Sequence, residues 1–586
     1  MTRIANGTII DGTGKPAFVG DVWVDGDRIV DVVPQSAEVH AQGGADFETV
    51  DATGRIVSPG FIDAHTHSDA YLVLEPDAPS KVTQGVTTEI NGQCGGSVAP
   101  RYGEARLSSD WAALLGDRLT WRSLAEYRAV LDAAKPAVNT VQFVGHNTLR
   151  SSVVGYAGRA ATPDELARMR RLLEQALDEG GWGLTTGLIY QPGKYATPEE
   201  VEALARVAAR RGGCYATHMR SEGDRILESI DEVIALAQKT GIRAEISHLK
   251  TSGKRNWAKI DAVLEKIERA MSDGLLLGSD RYPYCAAGTD LDVLLPDWAQ
   301  EGAAPAELAR LEISDLRSQI VAEINALDRD WSTVMIGGTW AAENKAFSGK
   351  TVREIIEWSN NRMGEWSNNR MGEWSNNRMV EWPNGRIGES ANGRMVESAN
   401  GRSAEPLPLS AVHRPSSSSP SSPLTPGDLI CSILERDGCK TGAFFFGMSE
   451  ENLDKIYARP WIVPGSDASL RAPWGPLSAD HPHPRAYATM PEFYRRVRAL
   501  GFSREETVAR MTSVPARRFG IRGRGVLEKG AYADLVVWDE AAFAAKSTYL
   551  KPHQFTGGVK LVMVNGVVPY ADGAFTGRRG GRFLER

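Results

Sequence analysis

Long apolar runs are missing from this chain. No stretch of about 18 consecutive apolar residues occurs, and the opening Met-Thr-Arg-Ile-Ala-Asn-Gly-Thr lacks the apolar core of a signal peptide, so a cytoplasmic protein with no membrane partner is expected. A basic excess is missing too: 67 Lys and Arg stand against 74 Asp and Glu, a net charge of −7, which argues against nucleic acid as the main partner. Cysteine is scarce, with five residues at positions 94, 214, 285, 431 and 439. An odd, scattered set fits free thiols rather than a disulfide framework, and leaves a thiol available as a metal ligand. Histidine is thin as well, ten in 586 residues, so its clustering carries information. No Gly-X-Gly-X-X-Gly loop follows an early strand, which removes the main support for an open dinucleotide-binding sheet.

Two of the histidines stand in Gly-Phe-Ile-Asp-Ala-His-Thr-His-Ser-Asp, residues 60–69. The apolar Ile56, Val57, Phe61 and Ile62 predict a buried strand, on which residues two apart share a face. His65 and His67 then project together as half of a divalent-metal site. Asp63 follows below them as a carboxylate placed to fix their tautomers.

The length leaves room for two or more domains. Short strands separated by Asp-Gly and Gly-Asp turns fill the first 55 residues, and the same texture returns after Gly525. One small β domain, a composite β-sandwich of residues 1–55 and 520–586, is expected from the two chain ends. Between them strand and helix alternate: capping boxes with Pro at the first helical position open helices at Thr162 and Thr197, and Gly pairs at 180–181 and 212–213 close them. Strands are read at 86–91, 139–146, 182–190, 214–219, 242–249, 275–284 and 461–466. The alternation predicts an α/β fold whose residues 56–519 form a TIM-like (β/α)8 barrel. Two segments interrupt it. Residues 286–331 are long for a loop and are read as a lid. Residues 357–426 begin as an octapeptide repeat, Glu-Trp-Ser-Asn-Asn-Arg-Met-Gly, and end in Ser and Pro. Eight helical steps turn by about 80°, so the repeated Trp makes no stripe, and a disordered surface insertion is expected.

Ligands in a barrel enzyme come from the C-terminal ends of different strands. There stand His65 and His67; Cys94 in Asn-Gly-Gln-Cys-Gly; His218 in Thr-His-Met-Arg; His248 in Ser-His-Leu-Lys; and Asp467 in Gly-Ser-Asp. Four imidazoles, a thiolate and a carboxylate form a donor set suited to Zn²⁺. Lys250 and Arg220, each two residues past a candidate ligand, are cations that could bind a substrate carboxylate.

Together with Gly-Leu-Ile-Tyr-Gln-Pro-Gly (187–193), Asp-Arg-Tyr-Pro-Tyr (280–284) and His-Pro-Arg (483–485), these motifs resemble the amidohydrolase superfamily, in its N-acyl-D-amino-acid deacylase branch. The resemblance spans nearly the whole chain outside the repeat. It implies hydrolysis of an N-acyl-D-amino acid to a carboxylate and a free D-amino acid. One Zn²⁺ would be bound tightly by Cys94, His218 and His248, with a weaker second site near His65 and His67. Asp467 would be the catalytic acid/base, and Tyr190, Lys250, Arg485 and Tyr282 would hold the small-molecule substrate. Two rivals are a cyclic-amide hydrolase of the dihydroorotase or hydantoinase type and a catalytically silent scaffold. Residues 182–190 contain no Lys to be carbamylated between two metals, which disfavours the first, and the complete ligand set disfavours the second.

Overall fold

The computed structural model describes residues 1–35, 47–107, 109–368 and 423–586. The chain begins with β1 (Thr2–Ile9), β2 (Phe18–Asp25), β3 (Arg28–Pro34), β4 (Glu48–Asp51) and β5 (Ile56–Pro59). Gly60 then turns the chain into the barrel. A Cβ there would lie 2.2 Å from the Thr87 side chain, so only glycine allows this approach.

The barrel staves follow as β6 (Phe61–Asp63), β7 (Val86–Asn91), β8 (Asn139–Gln142) with its continuation β9 (Val144–Gly145), β10 (Gly183–Gly187), β11 (Cys214–His218), β12 (Arg243–Ile246) and β13 (Leu277–Arg281). After β13 come β14 (Ala286–Asp290), β15 (Val334–Ile336) and β16 (Gly442–Phe446), and then the last stave, β17 (Ile462–Pro464). One parallel run is β6-β7-β8 and the other β9-β10-β11-β12-β13-β17. Phe143 joins the two as one bent stave, its N–H donating to Asn91 O at 3.0 Å while Trp182 N donates to Gln142 O at 2.8 Å. Ala64 N to Pro464 O, 3.1 Å, and Asp467 N to His65 O, 2.8 Å, close the last stave onto the first. The result is the expected α/β barrel.

Alternation along the staves sorts the side chains. Leu184, Ala244 and Ile246 face outward into the helix layer with Leu204, Val233 and Val263. Ile62, Ile90, Val141 and Phe143 face inward, and Phe519, Ile521 and Leu584 fill the floor beneath them. The helix layer starts where its capping residues stand: the Thr162 side chain accepts from Glu165 N, and that of Thr197 from Glu200 N.

The chain ends in β18 (Leu535–Trp538), β19 (Val559–Val564), β20 (Val567–Ala571) and β21 (Ala574–Phe575). These join the first five strands in one nine-stranded sheet of order β21-β20-β19-β18-β5-β1-β2-β3, with β4 beside β1. The seam is the antiparallel pairing of β18 with β5, Leu535 opposite Pro59. A third sheet, β14-β16-β15, lies against a separate core of Leu291, Ile320, Ile336, Phe347 and Ile430, built from described residues between β13 and β17.

The repeat differs from expectation where it begins. Residues 357–368 continue the helix Val352–Asn368. The remainder of that expected insertion up to 422 lies outside the described residues. The Asn360 side chain donates to Leu424 O and accepts from Leu424 N, so the chain leaves and returns at one place.

Candidate metal centre

Each candidate ligand stands on or just past the end of a stave. Cys94 rides on the loop Gly92–Gly95 after β7, which Thr185 of β10 pins by accepting from Gly95 N and donating to Gly92 O. A Cβ on Gly95 would meet Asn147 Oδ1 at 2.4 Å, and its φ of +76° is one that glycine adopts without strain. Among the described residues ten that are not glycine have a positive φ, and three of them stand here. Cys94 (φ 52°), His248 (φ 39°) and Asp467 (φ 49°) are all members of the predicted site. Such a conformation costs about 1–2 kcal/mol per residue. It persists where the surrounding packing over-determines it, as at functional sites.

The six side chains converge. Cys94 Sγ lies 3.3 Å from His65 Nε2 and 3.3 Å from His248 Nε2. Asp467 Oδ1 lies 3.1 Å from His67 Nε2 and 3.3 Å from His65 Nε2. Two groups result, His65–His67–Cys94–Asp467 and Cys94–His218–His248, with the donor atoms of each within 4.8 Å of one another and Cys94 in common. Zn–S near 2.3 Å and Zn–N near 2.0–2.1 Å would set tetrahedral sulfur and nitrogen ligands about 3.6 Å apart, close to what the thiol and its imidazoles show. Among the described residues neither ring nitrogen of the buried His218 makes a well-formed hydrogen bond, the Glu222 carboxylate standing off at 3.4 Å from Nε2. An unsatisfied buried imidazole is costly unless something else, such as a metal ion, takes its lone pair.

Electrostatics agree with this donor set. Burial pushes the Cys94 thiol up, but the imidazoles of His65 and His248 pull it well below its ordinary value, toward thiolate. Burial likewise raises Asp467, yet the Arg485 guanidinium, with Nη1 2.8 Å from Oδ2, and His248 hold it well below the usual carboxylate range.

The structure corrects the reading of Asp63. Its carboxylate accepts from Lys81 Nζ at 2.9 Å and from Ser466 N at 2.8 Å, and does not face either imidazole. Asp280, at the end of β13, takes that place: Oδ2 lies 3.2 Å from His65 Nδ1, and Oδ1 accepts from His248 N at 3.0 Å. Glu222 serves the other group. Its Oε1 is 2.9 Å from His248 Nδ1 and 2.5 Å from Lys250 Nζ, and Oε2 is 3.4 Å from His218 Nε2. Lys250 Nζ also lies 2.7 Å from His248 Nδ1. His248 thus turns Nε2 to Cys94 and Nδ1 to Glu222; burial and the Lys250 ammonium lower its pKa, but Glu222, Asp467 and Cys94 together raise it to about 10.

All four expected substrate-binding side chains reach this place. The Tyr190 ring packs edge-on to His218, centroids 4.8 Å apart. Arg485 and Lys250 lie 4.6 and 5.8 Å from the Tyr282 ring centroid, and the buried Tyr282 hydroxyl has no hydrogen-bond partner among the described residues. Arg220 does not reach it. It pairs with Glu232 at 2.9 Å and donates to the carbonyls of Lys194 and Ala196, beside a cavity of about 510 Å³ between the helices Pro198–Arg210 and Ile226–Thr240. His483 braces the centre from behind: Nδ1 accepts from Arg485 N at 3.0 Å, and burial holds the ring neutral, well below its ordinary pKa.

Asp280, Glu222 and His483 escaped the sequence reading of roles, although Asp280 and His483 stand in motifs already noted and Glu222 lies two residues past a third. Glu222 does lie four residues past His218, a spacing that could have drawn attention to it.

A closed barrel that gathers imidazoles, a thiol and a carboxylate at its C-terminal mouth defines the class, a metal-dependent hydrolase. A sequence profile of the amidohydrolase family matches residues 48–335 and 451–570. D-aminoacylase of Alcaligenes xylosoxydans xylosoxydans is 32% identical over 591 residues, covering 100% of this chain and 97% of the relative. N-acyl-D-glutamate deacylase of the same organism is 30% identical over 588 residues, covering 100% and 96%. The crystal structure of N-acyl-D-glutamate deacylase from Bordetella bronchiseptica, complexed with zinc and a phosphonate mimic of the tetrahedral intermediate, superposes with a TM-score of 0.73 at 29% identity, covering 100% of this chain and 99% of that one. The chain belongs to the amidohydrolase family, in its N-acyl-D-amino-acid deacylase branch.

Proposed function

We propose that this enzyme hydrolyses the linear amide of N-acyl-D-amino acids to a carboxylate and a free D-amino acid, with zinc held by Cys94, His218 and His248 and a weaker second place at His65, His67 and Asp467. The observation that carries the reading is the position of Asp467, one oxygen against the imidazole pair and the other 2.8 Å from Arg485. Its carboxylate thus lies between the candidate ligands and a cation suited to a substrate carboxylate. Zinc accords with the thiolate and imidazole donors and with the zinc in the Bordetella bronchiseptica relative. A divalent ion bound there polarises the amide carbonyl and makes water beside it more acidic.

The remaining steps fall to side chains. Asp467, kept ionised by Arg485, takes a proton from the attacking water as its oxygen bonds to the carbonyl carbon. It returns that proton to the nitrogen as the C–N bond breaks. Arg485, Lys250 and the unpartnered Tyr282 hydroxyl hold the α-carboxylate, and Tyr190 closes the opposite wall. Asp280 and Glu222 keep His65 and His248 in ligating orientation. The D configuration is drawn from the activities of the relatives.

A cyclic-amide substrate fits less well, since β10 (Gly183–Gly187) offers no Lys between two metal places and Cys94 occupies the bridging position. The deciding experiment is amine release by zinc-loaded protein from matched N-acetyl-D- and N-acetyl-L-amino acids with neutral and acidic side chains. Release confined to the D series supports the proposal; silence across the panel with zinc bound refutes it.

A further inference from the structure

Lys81 is the one ammonium group with no exposure at all among the described residues, and the chemistry above does not use it. It stands in the short helix Pro79–Val82 that leads into β7, and its Nζ reaches four acceptors. These are Asp63 Oδ2 at 2.9 Å, Glu89 Oε1 at 3.0 Å, Ser466 Oγ at 3.1 Å and Ala468 O at 3.1 Å. Burial alone would strip its charge, but Asp63 and Glu89 raise it above its ordinary pKa, so the group is a cation. An ammonium fully removed from water is retained only where every hydrogen is used, and here three hydrogens serve four oxygens.

The acceptors fall into two sets. Asp63 belongs to β6, the stave whose extension carries His65 and His67. Ser466 and Ala468 flank Asp467, which sits in the left-handed region at φ 49°. Asp63 completes the loop by accepting from Ser466 N at 2.8 Å, and Asp467 N donates to His65 O at 2.8 Å. Glu89 extends the network through Ser68 Oγ, 2.7 Å away, which accepts from Leu470 N at 2.9 Å. Without these ties a left-handed aspartate would relax toward ordinary backbone geometry. Its carboxylate would then leave the 3.1 Å contact with His67.

We infer that Lys81 is a positioning residue for the reaction: its buried ammonium clamps the turn Ser466–Ala468 to the foot of the His65–His67 stave and thereby sets where Asp467 places its carboxylate. The inference rests on the reading of Asp467 as the proton carrier. It predicts an effect on turnover rather than on metal capture, because Cys94, His218 and His248 lie on other staves, and rather than on substrate affinity, because Lys81 is sealed from the mouth.

The test compares Lys81→Met, Ser466→Ala and Asp467→Asn with the parent, all zinc-loaded, with bound zinc counted per folded chain. Lys81→Met is expected to keep the parent zinc content, to leave KM within about threefold, and to lower kcat roughly 30- to 300-fold, below the full effect of a proton carrier. Ser466→Ala, which removes one of the four acceptors and no charge, should lower kcat a few-fold in the same pattern. A crystal structure of Lys81→Met should show Asp467 displaced from His67. A merely structural lysine would lower the folded yield and leave kcat per zinc-loaded chain unchanged, and that result overturns the inference. If Lys81→Met does not fold, Ser466→Ala decides by the same criterion. An active Asp467→Asn would instead remove the proposed role of Asp467, whereas a silent Asp467→Asn beside a fully active Lys81→Met overturns only the role of Lys81.

Discussion

Replacing Asp467 by asparagine exchanges one carboxylate oxygen for an NH2 group at the centre of the site. The carboxylate meets His67 and His65 through Oδ1 at 3.1 and 3.3 Å, and Arg485 through Oδ2 at 2.8 Å. An amide of the same shape keeps the packing but can neither take a proton from water nor neutralise Arg485. Its nitrogen will turn toward the imidazoles, since facing the guanidinium would set donor against donor. Loss of a general acid/base costs about 10² to 10⁴ in rate, or roughly 3–5 kcal/mol of barrier at 1.36 kcal/mol per decade. Cys94, His218 and His248 are untouched, so one zinc per chain should remain. Arg485, freed of its partner, should bind the substrate carboxylate no worse, leaving KM steady or lower. The assay is amine release under saturating N-acetyl-D-amino acid, with zinc measured by plasma mass spectrometry on the same sample. A kcat within threefold of the parent at full zinc occupancy would refute the assignment, and a large loss accompanied by loss of zinc would show Asp467 to be a ligand first.

Cys94→Ser removes the one donor common to both groups, and should lower zinc affinity by at least about 10²-fold with a parallel loss of activity, read by competition with a chromophoric chelator. Phe519→Ala opens the barrel floor beneath Val141 and Phe143 and should cost about 3–5 kcal/mol in urea unfolding while leaving zinc content unchanged. Glu307 and Asp292 share a poorly solvated place in the core around β14–β16, where burial raises Glu307 to about 7, and burial with its neighbour raises Asp292 to about 8. A carboxyl raised in the folded state adds stability below its unfolded pKa near 4.5 that is lost as pH climbs toward 7. Glu307→Gln should therefore gain on the parent as pH rises from 5 to 8.5, by up to about 3 kcal/mol, in thermal melts at both pH values. An equal offset at the two pH values would count against that linkage.

Much of this protein was legible in its sequence because the governing signals are local. Period-2 alternation and capping residues such as Thr162 and Thr197 are set by neighbours along the chain, and they located staves and helices. Strand ends then put His65, His67, Cys94, His218, His248 and Asp467 at one mouth, since a parallel barrel brings all its C-terminal ends together. The motifs around those residues carried the family. The repeat reading went astray at residues 357–368 because eight-residue identity says nothing against a helix already nucleated at Val352.

Tertiary structure alone decided which inward group meets which. Asp63 sits two residues from His65 yet turns to Lys81, while Asp280, 215 positions away along the chain, takes the imidazole. Lys250 and Arg220 occupy equivalent places after their ligands, but only Lys250 reaches the centre, because Glu232 and two carbonyls hold Arg220 against the outer helices. Alternation tells that a side chain points into a barrel; stagger between staves and closure of the last onto the first determine its height and its neighbour. Those are properties of the whole ring, which is why the candidate ligands could be named residue by residue and their partners could not.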